Sequence, residues 1–204
     1  MARKLRINHK KVNIFNSLRD INLKLTIMLL KKTFIIALLA IFAGGALQAQ
    51  TFKYIGAAKC KMCHMKPAKG EQYNKWLNGP HANAMKSLSS DQAKEIAAAK
   101  GIADASKDPG CLKCHSTVGH IDAKLIAGVK VTEGVSCESC HGPGSMYKGA
   151  SVMRNRELSM KKGLFLPTEE VCKTCHNSDS PTFKAFDFAS KVVEIAHLDP
   201  TLAK

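Results

Sequence analysis

The chain is short of the side chains from which most domains of its size build a hydrophobic core. Among its 204 residues there are only three Tyr and one Trp, aromatic residues make up 6% of the chain, and long apolar runs are few after the first fifty residues. A conventional core for residues 50–204 is therefore excluded, since a domain of this length normally buries a large apolar surface. A bound group is expected to supply that surface, and folding is expected to require it.

No cysteine stands outside a Cys-x-x-Cys pair, and a histidine directly follows each pair, in four copies. Cys-x-x-Cys-His is the attachment sequence of c-type haem, in which two thiols add to the porphyrin vinyl groups and the His becomes the proximal iron ligand. Zinc ribbons and disulfides also use paired cysteines, but neither requires a His after every pair. We therefore predict four covalent haem c groups, attached at Cys60 and Cys63, Cys111 and Cys114, Cys137 and Cys140, and Cys172 and Cys175, with His64, His115, His141 and His176 as proximal ligands.

The first fifty residues have the pattern of a secretory signal. Lys31 and Lys32 follow Met28 as the positive region, Phe34–Ala43 is the apolar region, and small Ala49 precedes the expected cleavage site. The apolar run is too short to span a bilayer comfortably. We expect an upstream extension at 1–27, a signal peptide at 28–49 and one tetrahaem domain at 50–204, exported to the periplasm with no stable membrane insertion. An uncleaved basic anchor is the alternative.

The positive charge is concentrated in this leader. The formal net charge is +15, but residues 1–49 hold nine Lys/Arg and one acidic residue, so residues 50–204 carry +7. Eight haem propionates would offset much of that remainder. No nucleic-acid-binding motif is present, and the basic residues are expected to face propionates and acidic periplasmic redox partners rather than nucleic acid. A solvated lysine-rich surface is the alternative.

Short helix-forming runs alternate with Gly and Pro, which predicts a mainly α-helical fold with little regular β structure. The only β-like stretch is Leu125–Thr132, where Val129 and Val131 would share one side of a strand. Residues 147–166 are predicted to be irregular with at most one helical turn, and Asp187–Leu198 is predicted to be the last helix.

Histidines outside the motifs are too few for four irons. Residues 50–204 contain only His81, His120 and His197 outside the motifs, so at most three irons can have two His ligands. We predict all three as distal ligands, with surface or core histidines as the alternative. At least one iron then takes another side chain or stays five-coordinate, and the candidate side chains are Met85, Met146 and Met153.

The chain resembles the tetrahaem cytochrome c-554 family over most of residues 50–204. The resemblance rests on the first and second motifs, on Trp76 with the run His81–Met85, on Gly134–Gly144 around the third motif and on the His197 segment. It implies haems stacked first with third and second with fourth, and no protein sixth ligand at the second iron. It also implies that His81 serves the third haem and His197 the fourth.

One departure from the family concerns the first haem. The family's remaining distal His follows the Gly-Pro-Gly turn, but residues 145–151 contain no His here. The resemblance therefore leaves two alternatives: His120 binds the first iron, or this chain has two open or weakly ligated irons.

These features lead us to interpret the chain as a periplasmic electron carrier. Closely spaced haems in a thin protein shell allow fast electron hopping, with partners such as a quinol dehydrogenase or a multihaem oxidoreductase. The alternative is a multihaem reductase that acts on a small nitrogen or oxygen species at an open iron. That reaction requires proton delivery, for which Asp122, Lys124 and Tyr147 are the candidates.

Overall fold

A computed structural model describes residues 19, 21–34 and 51–201, and contacts divide the chain into two units, Met1–Gln50 and Thr51–Lys204. In the first unit, residues 21–34 form helix α1. The expected cleavage site after Ala49, and the apolar region apart from Phe34, lie outside the described residues. Within the described ranges, no helix combines the length and the apolar character that crossing a membrane requires.

The second unit is built from short helices of four to nine residues, which confirms the mainly α-helical fold. Five 3-10 helices connect them, at Pro67–Lys69, His81–Asn83, Ala123–Leu125, Val131–Glu133 and Gly144–Met146. The α-helices are α2 (Ala58–His64), α3 (Gln72–Leu77), α4 (Ala84–Ser87), α5 (Asp91–Ala99), α6 (Pro109–His115), α7 (Cys137–His141), α8 (Ala150–Met153), α9 (Arg156–Lys161), α10 (Glu169–Lys173) and α11 (Phe188–Ile195).

The prediction of a strand at Leu125–Thr132 is wrong. Both ends of the stretch belong to 3-10 helices, and between them it has one isolated parallel bridge, from Ile126 to Tyr54. The Tyr54 N–H donates to the Leu125 carbonyl at 2.8 Å, and the Ala127 N–H donates to the Tyr54 carbonyl at 2.7 Å. The bridge cannot lengthen into a ladder because the chain after Tyr54 turns into α2 within four residues.

Residues 147–166 are also more ordered than the sequence predicts, since they contain both α8 and α9. The Asn155 side chain caps α9 by accepting the Leu158 N–H at 2.9 Å. The hydroxyl of Ser159, which is fully buried, donates to the Val152 carbonyl at 2.9 Å and so ties α9 to α8. The helix signal is weak in the sequence because a capping Asn in a basic stretch also suits a turn.

The final helix begins as predicted but ends early. Asp187 accepts the Ala189 and Ser190 N–H groups at 3.3 and 3.2 Å and caps α11, which ends at Ile195. His197 therefore lies two residues beyond the helix rather than within it.

The protein buries few apolar side chains of its own. Among the described residues nine hydrophobic side chains are buried, and four of them, Leu88, Ala97, Ala105 and Leu112, form the core cluster. Met85, Ile102 and Cys111 pack against this cluster, so it lies beside the second motif. A core of this size agrees with a fold that is completed by porphyrin.

Candidate haem sites

Each motif is built on a single helical turn. Helices α2, α6 and α7 end at His64, His115 and His141, and the turn at the end of α10 carries His176, whose N–H donates to the Cys172 carbonyl at 3.0 Å. Residues at i, i+3 and i+4 share one helix face, so both thiols and the imidazole of a motif face the same side. That is the arrangement needed to hold one porphyrin by two thioether bonds and one iron ligand.

The other uses of paired cysteines find no support in the described residues. All eight cysteines are free thiols. Nor is any group of three or more His, Cys, Asp or Glu side chains in this part of the chain arranged to hold a metal ion by itself.

Backbone carbonyls orient three of the predicted iron ligands. The Nδ1 atom of His115 lies 2.8 Å from the Ala84 carbonyl, that of His141 lies 3.2 Å from the Phe165 carbonyl, and that of His197 lies 2.9 Å from the Ile195 carbonyl. An Nδ1–H group that donates to a carbonyl leaves the Nε2 lone pair for a metal, and the hydrogen bond fixes the plane of the ring. His115 also has the Ser87 hydroxyl 3.1 Å from Nδ1.

Two motif histidines each face a histidine from outside the motifs. The ring centres of His81 and His176 are 6.1 Å apart with an interplanar angle of 71°, and those of His141 and His197 are 5.9 Å apart at 74°. Metal–imidazole bonds of about 2.0 Å, with each nitrogen about 1.1 Å from its ring centre, would separate two axial rings by about 6.2 Å. Both pairs are therefore spaced to hold one iron between them. Burial lowers the pKa of His81 and His141, which favours the neutral ring that binds iron.

This pairing reverses the one implied by the resemblance, which put His81 at the third haem and His197 at the fourth. The His81 backbone does lie beside the third motif, since its carbonyl accepts the Val135 N–H at 3.0 Å. Trp76 reinforces the contact by donating its Nε1–H to the Val135 carbonyl at 2.8 Å. The His81 ring nevertheless extends to His176 of the fourth motif. The backbone of His81 thus lies beside the third motif, whereas its ring faces the fourth motif.

Gly134 makes this close approach possible. Its φ is +71°, and a Cβ at this position would lie 2.7 Å from the His81 carbonyl oxygen and 2.9 Å from the Ala82 carbonyl oxygen. Any other residue would have to push the His81 backbone away from the third motif.

His120 does not join these pairs. It is exposed in a turn after Gly119, and within the described part of the chain neither it, His64 nor His115 makes a ring contact with another histidine. Of the candidate methionines, Met85 packs against the core cluster and the Met153 sulfur accepts the Ser159 hydroxyl at 4.0 Å. Met146 is half-buried in the 3-10 helix after the Gly-Pro-Gly turn.

The motifs themselves are brought together in two couples. The Cys60 thiol is near enough to Cys137 to raise its pKa, and the Cys175 thiol adds to burial in raising the pKa of Cys114. First with third and second with fourth is the order that the resemblance implies for the stacked haems. Burial, followed by the neighbouring Cys175, raises the pKa of the Cys114 thiol to about 11.

Cys140 lies near enough to the fourth motif for two of its cysteines to affect the Cys140 pKa. Burial, followed by the charges of Cys172 and Cys175, raises its pKa to about 11. The third and fourth motifs are therefore neighbours as well, which makes the four attachment sites one continuous cluster.

A buried carboxylate that the sequence analysis did not single out joins the first motif to the third. Glu138, the residue after Cys137, is 1% exposed and accepts three backbone N–H groups, from Ile55 at 2.9 Å, Gly56 at 2.7 Å and Gly144 at 2.6 Å. These donors come from the lead into α2 and from the turn after α7. The charge of Glu138 is thus satisfied by fixing the first motif against the third.

Two further groups support the same junction. The Glu133 carboxylate accepts the Ala57 N–H at 2.9 Å, at the start of α2, where the helix dipole favours negative charge. Tyr147 donates its hydroxyl to the Gly142 carbonyl at 2.7 Å, and burial, together with the nearby Glu138, raises its pKa. The sequence signal for this junction is an acidic residue inside a Cys-x-x-Cys pair between two glycine turns.

The candidates for proton delivery do not converge. Tyr147 is buried with its hydroxyl already bonded, whereas Asp122 and Lys124 are exposed and Asp122 caps the Lys124 N–H at 2.9 Å. Thr117, after the second motif, is buried in a hydroxyl network with Ser136, at 2.9 Å, and Ser139, also at 2.9 Å. The segment after the second motif therefore has a structural role.

Comparisons with known proteins found similar sequences. Residues 59–142 match the family described as "Cytochrome c554 and c-prime". Over 156 residues the chain is 31% identical to "Cytochrome c-554" of Nitrosomonas europaea, a match that covers 69% of this chain and 64% of that protein. The chain thus spans a little under two thirds of that relative. No solved structure gave a significant match.

Proposed function

Because the chain belongs to the cytochrome c-554 family, a family of electron-transfer haem proteins, we propose that it is a periplasmic electron carrier with four covalent haem c groups. When bound, each haem supplies an iron that cycles between the ferric and ferrous states. The proposal rests on the two facing histidine pairs, whose ring centres are 6.1 and 5.9 Å apart, beside four attachment motifs.

The protein's part in this function is to close and tune the iron sites. When haem is bound, His81 with His176 and His197 with His141 would each hold one iron by two imidazoles, which would leave no open position for a substrate there. The carbonyls that accept the Nδ1–H groups of His141 and His197 make both rings stronger donors. Stronger donors favour the ferric state, so we expect this site to have a low reduction potential.

Export follows from the proposed signal peptide, and the partners are periplasmic redox proteins. Mass spectrometry of the protein from a periplasmic fraction tests the cleavage site, which we expect after Ala49.

Haem stoichiometry tests the proposal as a whole. We expect a pyridine haemochrome assay and intact mass to give four haems per chain, and a potentiometric titration to give four one-electron steps. Fewer than four covalent haems would sink the tetrahaem assignment, and a redox-inactive holoprotein would sink the carrier function.

A second candidate function, reduction of a small nitrogen or oxygen species, follows from the ligand count. His64 and His115 have no second imidazole opposite them in the described residues, so two irons would lack a histidine on one side. Against this candidate, the groups proposed for proton delivery do not come together. Fully reduced protein mixed with nitric oxide, nitrite or hydroxylamine decides between the two: rapid multi-electron reoxidation supports an enzyme, and binding without loss of electrons supports the carrier.

A further inference from the structure

Positive charge is distributed unevenly along the proposed mature chain. Residues 53–75, which flank the first motif, contain six lysines and one acidic residue, a net charge of +5. Residues 76–204 contain sixteen basic and fourteen acidic residues, a net charge of +2. Most of the excess charge of the proposed mature chain thus belongs to 23 residues around a single attachment site.

Little of this charge is neutralised within the protein. The described residues contain seven ion pairs, and only one of them, Lys69 with Asp199 at 3.5 Å, uses a lysine from residues 53–75. Lys61 instead lies over the Tyr73 ring at 5.6 Å from its centre. The remaining charge is free to act on a partner.

The same segment has the most exposed attachment cysteine. Cys63 is exposed, whereas the other seven attachment cysteines are half-buried. Next to it, Met62 is 82% exposed and Met65 is 41% exposed. The protein therefore partly shields the other seven attachment cysteines from solvent. It leaves Cys63, and with it the edge of a haem attached there, accessible to a partner.

Lysines surround this exposed edge on a rigid support. On α2, Lys59 lies one turn before Cys63 on the same helix face. Lys61 and Lys66 are exposed on either side of Met62 and Met65. The start of α2 is fixed by Glu133 and the residues before it by Glu138, so these side chains stand on a fixed backbone. We define the first-motif face as Lys59, Lys61, Met62, Cys63, Met65 and Lys66.

We propose that the first-motif face docks an acidic electron-transfer protein, which exchanges one electron at a time with the first haem through the thioether edge at Cys63. The proposal rests on the carrier function proposed above. The partner loses one electron as the ferric iron becomes ferrous, or gains one in the opposite direction, and no bond is made or broken. An apolar centre ringed by unpaired charge suits such a short-lived complex, since charge steers the encounter and the methionines adapt to the partner surface.

When bound, the first haem would not cancel this charge with its own propionates. In haem c the propionates belong to the porphyrin edge opposite the thioether bonds, so the lysines beside Cys63 would keep their field. The fourth motif offers a contrast, because Glu169 and Glu170 both lie near its Lys173, and Glu169 pairs with Lys173 at 2.7 Å. An acidic partner is attracted to the first motif and not to the fourth.

Stopped-flow oxidation of the reduced holoprotein tests the proposal with two oxidants of opposite charge, hexacyanoferrate(III) and hexaammineruthenium(III). The test variant is Lys59→Glu/Lys61→Glu/Lys66→Glu. The matched control, Lys148→Glu/Arg156→Glu/Lys184→Glu, makes the same change in net charge at exposed positions elsewhere. Poly-L-glutamate serves as a competitor that imitates an acidic protein surface. Both variants are first checked for four haems and an unchanged spectrum.

We expect the wild-type rate with hexacyanoferrate(III) to fall about tenfold between about 0.01 and 0.1 M ionic strength, as the screening length falls from about 30 to about 10 Å. The test variant should lose most of this dependence and its inhibition by poly-L-glutamate, while the control keeps both. Equal effects in the two variants would overturn the proposal, because net charge alone would then explain the rates.

Two other outcomes have distinct meanings. If the holoprotein does not react with either oxidant, the carrier function itself fails. If the test variant loses binding to phosphatidylglycerol vesicles but responds to poly-L-glutamate like the wild type, the face meets an anionic membrane, and the docking of an acidic protein is wrong.

Discussion

The two couples of motifs are held together in different ways. Between the first and third motifs lie the buried Glu138 with its three N–H donors and the Glu133 contact at the start of α2. Between the second and fourth motifs, the ion pair of Lys113 with Asp179 spans 3.7 Å, and its side chains are 55% and 74% exposed. In each couple, one thiol also lies near enough to another to raise its pKa.

This difference indicates which haem pair the polypeptide positions by itself. A buried carboxylate that accepts three backbone N–H groups fixes two segments relative to each other, since any shift would leave charge or donors unpaired. An exposed ion pair imposes little constraint because water competes for both groups. We infer that the first and third motifs are preorganised by protein, whereas the second and fourth depend more on the haems themselves.

Removing the buried carboxylate should have the largest effect on this comparison. Glu138→Ala leaves three buried N–H groups without an acceptor, and we expect it to destabilise the holoprotein by about 3–5 kcal/mol. Denaturant unfolding followed by haem absorbance measures the loss. If the variant does not accumulate, Glu138→Gln retains one acceptor oxygen and should be destabilised less.

The control is Glu157→Ala, which removes an exposed carboxylate. Equal stability of Glu138→Ala and the control would refute the preorganised couple.

Removing a distal histidine should change one iron and leave three unchanged. His81→Ala and His197→Ala each remove a strong-field imidazole, so we expect each to convert one low-spin iron to high spin in the electron paramagnetic resonance spectrum. In the parent protein, ring planes at 71° and 74° should give strongly anisotropic low-spin signals, because nearly perpendicular imidazoles leave two iron d orbitals close in energy. If both variants keep the parental signals, His81 and His197 are structural.

The pairing itself can be tested by removing one haem. In a Cys172→Ala/Cys175→Ala background the fourth haem cannot attach, and a further His81→Ala change should then convert no additional iron to high spin. His197→Ala should still convert one. The reverse result would restore the pairing implied by the family resemblance.

Breaking the exposed ion pair should have a much smaller effect than removing Glu138. Lys113→Ala and Asp179→Ala should each lower the stability of the holoprotein by no more than about 1 kcal/mol. A double-mutant cycle, measured by thermal unfolding at low and high salt, should give a coupling that disappears as salt is added. A large, salt-independent coupling would show that the protein also fixes the second couple.

The smallest effect is expected at His120. Because its ring is exposed and contacts no other histidine in the described residues, His120→Ala should leave the spin state of all four irons unchanged. Loss of a low-spin signal in this variant would identify His120 as the distal ligand of the first haem.

Local patterns were sufficient for part of the fold and the site. The start of the last helix was correctly predicted at Asp187, and the turn at Asn78–Pro80 correctly made His81 the first residue of a new element. The alternating valines at 129 and 131 failed as a strand signal because a strand needs a partner, and only Tyr54 pairs there. Asn155 was missed as a helix cap because Asn favours turns as well.

The sequence by itself led to the predicted chemistry of attachment and the predicted number of ligands. A Cys-x-x-Cys-His pentad brings its thiols and imidazole to one face within a single helical turn, so four copies predict four attachment sites without knowledge of the fold. The count of three other histidines after the leader is likewise independent of structure.

Only the tertiary structure decided which groups meet. His81 follows the first motif in sequence, its backbone lies beside the third, and its ring faces His176 of the fourth, because side-chain direction depends on how distant segments pack. Glu138 is ionisable and would be expected at the surface from its type alone. It is buried because N–H donors more than eighty residues earlier in the chain fold onto it, and a contact between such distant segments leaves no local pattern in the sequence.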